Sequence, residues 1–172
     1  MTDLHKKVIH IVQGEHRISE QPDVVITTVL GSCVAACIFD PERGIGGMNH
    51  FLLPDPISGS GDIRYAAAAM ETLINGLLRQ GAMRSRMQAK LFGGARMMPS
   101  LPDIGRRNAD AAQRILQNDG IRIVNGDLCG NEARRVRFWP TSGRVQVQLL
   151  GNEAPPLVEK PVRPQSGEVE LF

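Results

Sequence analysis

The segment "CVAACIFD", residues 33–40, constrains the fold more than any other, because it is apolar on both faces of a strand. Side chains alternate along a strand, so a strand at the surface shows one polar face. One that lacks it must be covered on both sides. The chain is therefore expected to build layers, with this strand in a middle one.

Its neighbours extend the pattern. "DVVITTVL" is a short β-branched run that starts after Pro22, and "KKVIHIVQG" alternates well enough for an opening strand. "DPERG" supplies Asp and Pro for a type I turn with a glycine at its exit, and "IGGMNHFLLP" returns as the partner strand. "IRYAAAAMETLINGLLRQG" reads as a helix with Asp62 as N-cap and Gly81 as stop. "GRRNADAAQRILQNDG" reads as a second helix closed by Gly120. "QAKLFGGA", "IRIVNGD", "EARRVRFWP" and "GRVQVQLL" complete the strands, the last two joined through "TSG" as a hairpin. Strands on either side of two helices predict an α/β fold of the α+β kind. Its sheets are expected to be mixed and mostly antiparallel, because the connections are short.

At 172 residues the chain suits one domain, placed at residues 1–150. From Gly151 a proline-rich tail, residues 151–172, follows and ends in the strand-like "GEVELF". That ending suits the sheet edge of a partner, disorder, or packing on its own domain. "PDPISGSGD" is a Gly/Ser/Pro loop directly after the histidine strand, suited to closing over a substrate or merely to connecting. No apolar run reaches the eighteen or so residues that cross a bilayer. The N-terminal twenty residues lack a secretory pattern, and three cysteines fit free thiols, so a cytoplasmic protein without membrane insertion is expected.

Residues 82–144 carry a net charge of +7, while the segments before and after are acidic. No basic run is longer than two, and aromatics are only 4% of the chain, which argues against nucleic acid. A solvated basic face or an acidic protein partner is left.

The stretch "LGSCVAACIFDPERGIGGMNHFLLP" places Cys33 and His50 on the two arms of one hairpin. A turn over residues 40–43 makes Phe39 face Gly44, and Cys33 then lies opposite His50. Directly opposed residues have Cβ atoms roughly 4.5–5.5 Å apart. An imidazole at that distance can take the thiol proton and create a nucleophile. Gly31 and Ser32 leave room for a carbonyl to approach backbone N–H groups. The plain alternative is that these thiols are small core hydrophobes. Cys33 and Cys37, four apart on a strand, suit neither a zinc site nor a disulfide. Cys129 reads as structural, and His5, His10 and His16 as surface or edge positions.

"TTVLGSC…GGMNHFLLP" resembles the signature of the CheD family of bacterial chemoreceptor glutamine deamidases. The likeness continues through "RYAAAAMETLINGLLRQGA", "AKLFGGARM", "IGRRNADAAQRIL" and "GNEARRV…SGRV", about residues 7–150. The resemblance implies a layered α/β/β sandwich similar to the catalytic domain of cytotoxic necrotizing factor toxins. It implies Cys33 as nucleophile, His50 as general base and Thr27 as the residue orienting the imidazole. In a straight strand Thr27 would lie about 20 Å from Cys33, so a bend at Leu30–Ser32 is required. Gly31, Ser32, Gly47 and Asn49 are expected to shape the substrate pocket, or to serve the backbone alone. No metal and no cofactor are needed. The implied partners are receptor cytoplasmic helices and a CheC-type phosphatase. With the basic segment as docking surface, charge reversal at Arg134 and Arg135 is expected to weaken receptor deamidation.

Overall fold

A computed structural model describes residues 6–53, 62–151 and 169–172. The strand that is apolar on both faces, β4 (Val34–Asp40), is buried at all seven positions. Its layer is a five-stranded sheet that also contains β2 (His16–Ser19), β5 (Ile45–Asn49), β6 (Gln88–Gly93) and β7 (Arg122–Leu128), in the order β2-β5-β4-β6-β7. One face of this sheet carries α1 (Asp62–Arg79) and α2 (Ile104–Asn118). The other faces a second sheet of β1 (Lys7–His10), β3 (Val24–Leu30), β8 (Arg134–Trp139), β9 (Arg144–Leu149) and β10 (Val169–Leu171), in the order β1-β3-β8-β9-β10.

The pleat of β4 sorts the core into two. Val34, Ala36 and Ile38 pack with Met70, Leu73 and Leu77 of α1. Ala35, Cys37 and Phe39 pack with Ile26, Leu30, Val136 and Phe138 of the second sheet. The layers are thus helix, sheet, sheet, and the expected α/β/β sandwich is found. Pairing is antiparallel except for β1 with β3 and β6 with β7. Both helices end where glycine was expected to stop them. At Gly81 (φ +96°) and Gly120 (φ +71°) the chain turns left-handed, and the N–H groups of Ala82 and Ile121 close on Leu77 and Leu116.

Two local expectations are corrected. The opening strand is shorter than its run: β1 ends at His10, and after a turn at Val12–Glu15 the chain enters the other sheet as β2. The hairpin register is also two residues off, for Asp40 pairs with Ile45 and Phe39 with Gly46. Asp40 is held in the strand because its carboxylate accepts the N–H groups of Glu42, Arg43 and Met83 and also binds Arg86. The turn therefore occupies Pro41–Gly44, and Gly44 (φ +71°) returns its N–H to the Asp40 carbonyl.

The loop "PDPISGSGD" lies outside the described residues up to Asp62, as do residues 152–168 of the tail. The final strand, β10, pairs with β9 of the chain's own sheet.

Candidate active site

The two-residue slip moves Cys33 off its place opposite His50 but keeps both on one face, since the side-chain period is two. Val34 pairs with Phe51 through both of their backbone hydrogen bonds. Cys33 and His50 flank that pair diagonally on the side facing the second sheet, where a regular ladder separates such residues by roughly 7–8 Å. Cys33 packs beside the inter-sheet core and is half-buried. Among the described residues no hydrogen bond joins its thiol to the imidazole. The polar neighbour of Sγ is Oε1 of Gln13, at 3.9 Å.

His50 is buried, and its ring is held from one side. Nδ1 lies 2.7 Å from Oγ1 of Thr28, and the same hydroxyl lies 2.8 Å from the carbonyl of Ile11. A hydroxyl has one hydrogen. Donated to the Ile11 carbonyl, it leaves Oγ1 as the acceptor of Nδ1–H, and Nε2 carries the free lone pair. The expected orienting residue, Thr27, is elsewhere: its hydroxyl donates to the Val136 carbonyl at 2.8 Å. Consecutive residues of β3 face opposite sides, and Thr28 shares the inward parity of Ile26 and Leu30.

Burial pushes the Cys33 thiol up to about 11, partly offset by its own backbone N–H. Burial also lowers His50 to about 4. Both groups are neutral near pH 7, so the resting site holds a thiol beside an uncharged imidazole.

The loop that carries Cys33 is anchored from behind. Asn108 of α2 donates Nδ2 to the Ser32 carbonyl at 2.8 Å and accepts the Leu53 N–H at 3.0 Å, tying the two arms of the site together. The Cys33 carbonyl accepts the Gly94 N–H, and the Gly31 carbonyl accepts the Ala95 N–H. Gly93 (φ +106°) has no room for a side chain, because a Cβ would come within 2.1 Å of the Cys33 carbonyl. In contrast, the N–H groups of Gly31 and Ser32 find no acceptor among the described residues, and that of Cys33 faces its own sulfur. A row of unpaired donors beside a thiol is suited to an oxyanion.

The family model described as CheD chemotactic sensory transduction matches residues 52–149. The chain is 53% identical to the probable chemoreceptor glutamine deamidase CheD of Acidiphilium cryptum, over 95% of this chain and 93% of that one. The chain belongs to the CheD family. Probable chemoreceptor glutamine deamidases CheD of Caulobacter vibrioides (51% identity, 95% and 92% coverage) and Agrobacterium fabrum (47%, the full length of both) are similarly related. Among solved structures, the Bacillus licheniformis hypothetical protein YfiH overlaps 73% of this chain and 61% of its own, with a TM-score of 0.48 and 12% identity.

For this CheD chain, the remaining expected site residues divide. Gly31 and Ser32 sit on the loop that carries Cys33. Gly47 does not reach it: the residue lies under α1, where a Cβ would meet Leu73 at 2.6 Å and the Arg17 carbonyl at 2.7 Å. Asn49 also faces α1, accepting the Ala36 N–H at 2.9 Å and donating to the Met70 sulfur. Gly47 is a packing residue of the opposite face, whereas Asn49 also lines, with His50, the cleft on that side. Arg134 is no docking residue either, for its guanidinium is buried and binds Asp127 and the Cys129 carbonyl. A cleft of about 200 Å³ opens on the helix side between Glu15, His50 and Tyr65, and Cys33 does not line it. His10 and His16 are exposed on edge strands, as expected.

Thr28, Asn108 and Gln13 escaped sequence reasoning. Asn108 left a signal, a polar residue on the apolar stripe of Ile104, Ala112 and Ile115. The other two left none, because their roles depend on pleat and on a turn that reads as strand.

Proposed function

We propose that the chain is a cysteine-dependent deamidase that converts glutamines of chemoreceptors to glutamates. The observation that carries this reading is a half-buried thiol on the same sheet face as, and diagonal to, an imidazole whose Nδ1 side is already occupied by Thr28. The relatives' names supply the substrate class.

The proton of Sγ passes to Nε2 of His50, and the thiolate attacks Cδ of the receptor carboxamide. The carboxamide oxygen becomes an oxyanion beside the N–H groups of the 31–33 loop. The imidazolium returns its proton to the departing ammonia, leaving a thioester. His50 then takes a proton from water, the hydroxide adds to the thioester, and the glutamate leaves as the thiol reforms. Because both groups start neutral, the thiolate arises as substrate displaces water and the loop's donors engage charge. A glutamyl methyl ester offers the same acyl carbon with methanol as leaving group, so esterase activity follows from the same steps.

Receptor cytoplasmic helices as substrates place the protein in the cytoplasm. No helix among the described residues is long and apolar enough to cross a membrane. A CheC-type phosphatase is the regulatory partner that the family resemblance implies.

Mass spectrometry of a receptor fragment tests the reading, since each deamidation adds about one dalton. The natural chain is expected to add it and Cys33→Ala to add none. Deamidation persisting in Cys33→Ala overturns the reading.

A further inference from the structure

The turn joining β1 to β2 crosses the site as a strap that the mechanism above does not use. Its backbone is pinned on both sides of Gln13. Ile11 donates to the Thr27 carbonyl at 3.0 Å, and its own carbonyl accepts the Thr28 hydroxyl. Gly14 donates to the His50 carbonyl at 2.8 Å, and the Glu15 carbonyl accepts the His50 N–H at 3.1 Å. Glu15 closes the turn from within, its carboxylate and backbone N–H both bonded to Val12. The strap is thus stitched to both residues that set the imidazole. Its one side chain aimed at the reacting sulfur is Gln13.

We propose that the Gln13 carboxamide is a catalytic group of this site, donating its Nε2–H first to the Cys33 thiolate and then to the oxyanion. The inference rests on Cys33 being the nucleophile. A carboxamide is a two-way group, with an acceptor oxygen and a donor nitrogen on one plane. Against the neutral thiol, Oε1 faces Sγ and accepts the S–H, which is the observed arrangement. Once the proton has gone to His50, that oxygen would repel the thiolate. Half a turn about Cγ–Cδ, a soft rotation, then brings the N–H groups forward. Gln13 is exposed, which leaves its amide room to turn. The pinned backbone keeps its reach fixed, as a preorganised donor requires. No Lys or Arg bonds or pairs with Cys33 among the described residues, so the donors that can supplement the His50 imidazolium in stabilising the thiolate are neutral.

Three substitutions, compared in receptor deamidation and in iodoacetamide labelling of Cys33 across pH, test the assignment. Gln13→Ala is expected to lower kcat about 100-fold with KM nearly unchanged. Its labelling profile should move to higher pH, and that of Gln13→Glu further still, because a carboxylate opposes the thiolate. Cys33→Ala separates the two ideas. If it remains active, the nucleophile reading falls whatever Gln13 does. If it is inactive while Gln13→Ala keeps natural kcat and labelling, the Gln13 role alone is overturned. Loss of kcat in Gln13→Ala with an unmoved labelling profile also overturns it, since a purely structural part would give that pattern. So does Cys33-dependent deamidation of Gln13 itself, a gain of about one dalton in the isolated chain, which would make it a substrate.

Discussion

Thr27 and Thr28 differ by one position and do unrelated work. Thr28 holds the imidazole, whereas Thr27 bonds the neighbouring strand. Replacing each with valine keeps shape and removes only the hydroxyl. Thr28→Val leaves Nδ1–H and the Ile11 carbonyl without their partner and frees the ring to adopt the other tautomer. It is expected to lower kcat about 10–100-fold, less than the ~10⁴ lost when a triad carboxylate is neutralised. Thr27→Val is expected to cost about 1 kcal/mol of stability and leave kcat unchanged. Steady-state deamidation with urea unfolding of both variants checks the contrast, and equal kcat losses would remove the distinction. The candidate thiol and imidazole are legible from residue type and context. The threonine is not, because spacing says how far a residue lies along a strand and only the pleat says which way it points.

At the scale of elements, the apolar character of β4 correctly announced a covered layer, but register and partners stayed hidden. The hairpin slipped by two because Asp40 binds Arg86 and the Met83 N–H, contacts that come from beyond α1. The parallel pairings of β1 and β7 rest equally on distant segments. The fit of α2 onto the site is another such contact. Gly105 lies so close to the backbone after β6 that a Cβ would meet the carbonyls of Gly94 and Ala95 at 2.3 Å. In an exposed helix, Gly→Ala stabilises by up to about 1 kcal/mol. Here the sign reverses: Gly105→Ala must lift α2 and draw Asn108 away from Ser32 and Leu53. A loss of about 2–3 kcal/mol in urea unfolding is expected, with lower kcat in the molecules that remain folded. A rise in stability would show that the helix can shift at no cost to the site.

Across the whole molecule, the last residues bind the two sheets together at one end of the sandwich. Phe172 exchanges both backbone hydrogen bonds with Val145 and sets its ring edge-on to Phe92 of β6, with centroids 5.6 Å apart. Lys90, also on β6, reaches across to the carbonyls of Gly143 and Phe172 at 2.7 and 3.0 Å. Residues 169–172 of the "GEVELF" ending thus serve the chain's own sheet, and β10 covers the edge of β9. Deleting residues 169–172 removes a partly buried aromatic ring and three ladder residues, and leaves Lys90 one acceptor short. A loss of about 2–3 kcal/mol is expected, below the 3–5 of a fully buried Phe→Ala. The bared edge of β9 should also promote concentration-dependent association, visible by light scattering. Receptor deamidation per folded molecule should persist, because none of the deleted residues bonds to Cys33, His50, Thr28 or Gln13. Unchanged unfolding in the truncated chain would show that the sandwich closes without its last strand.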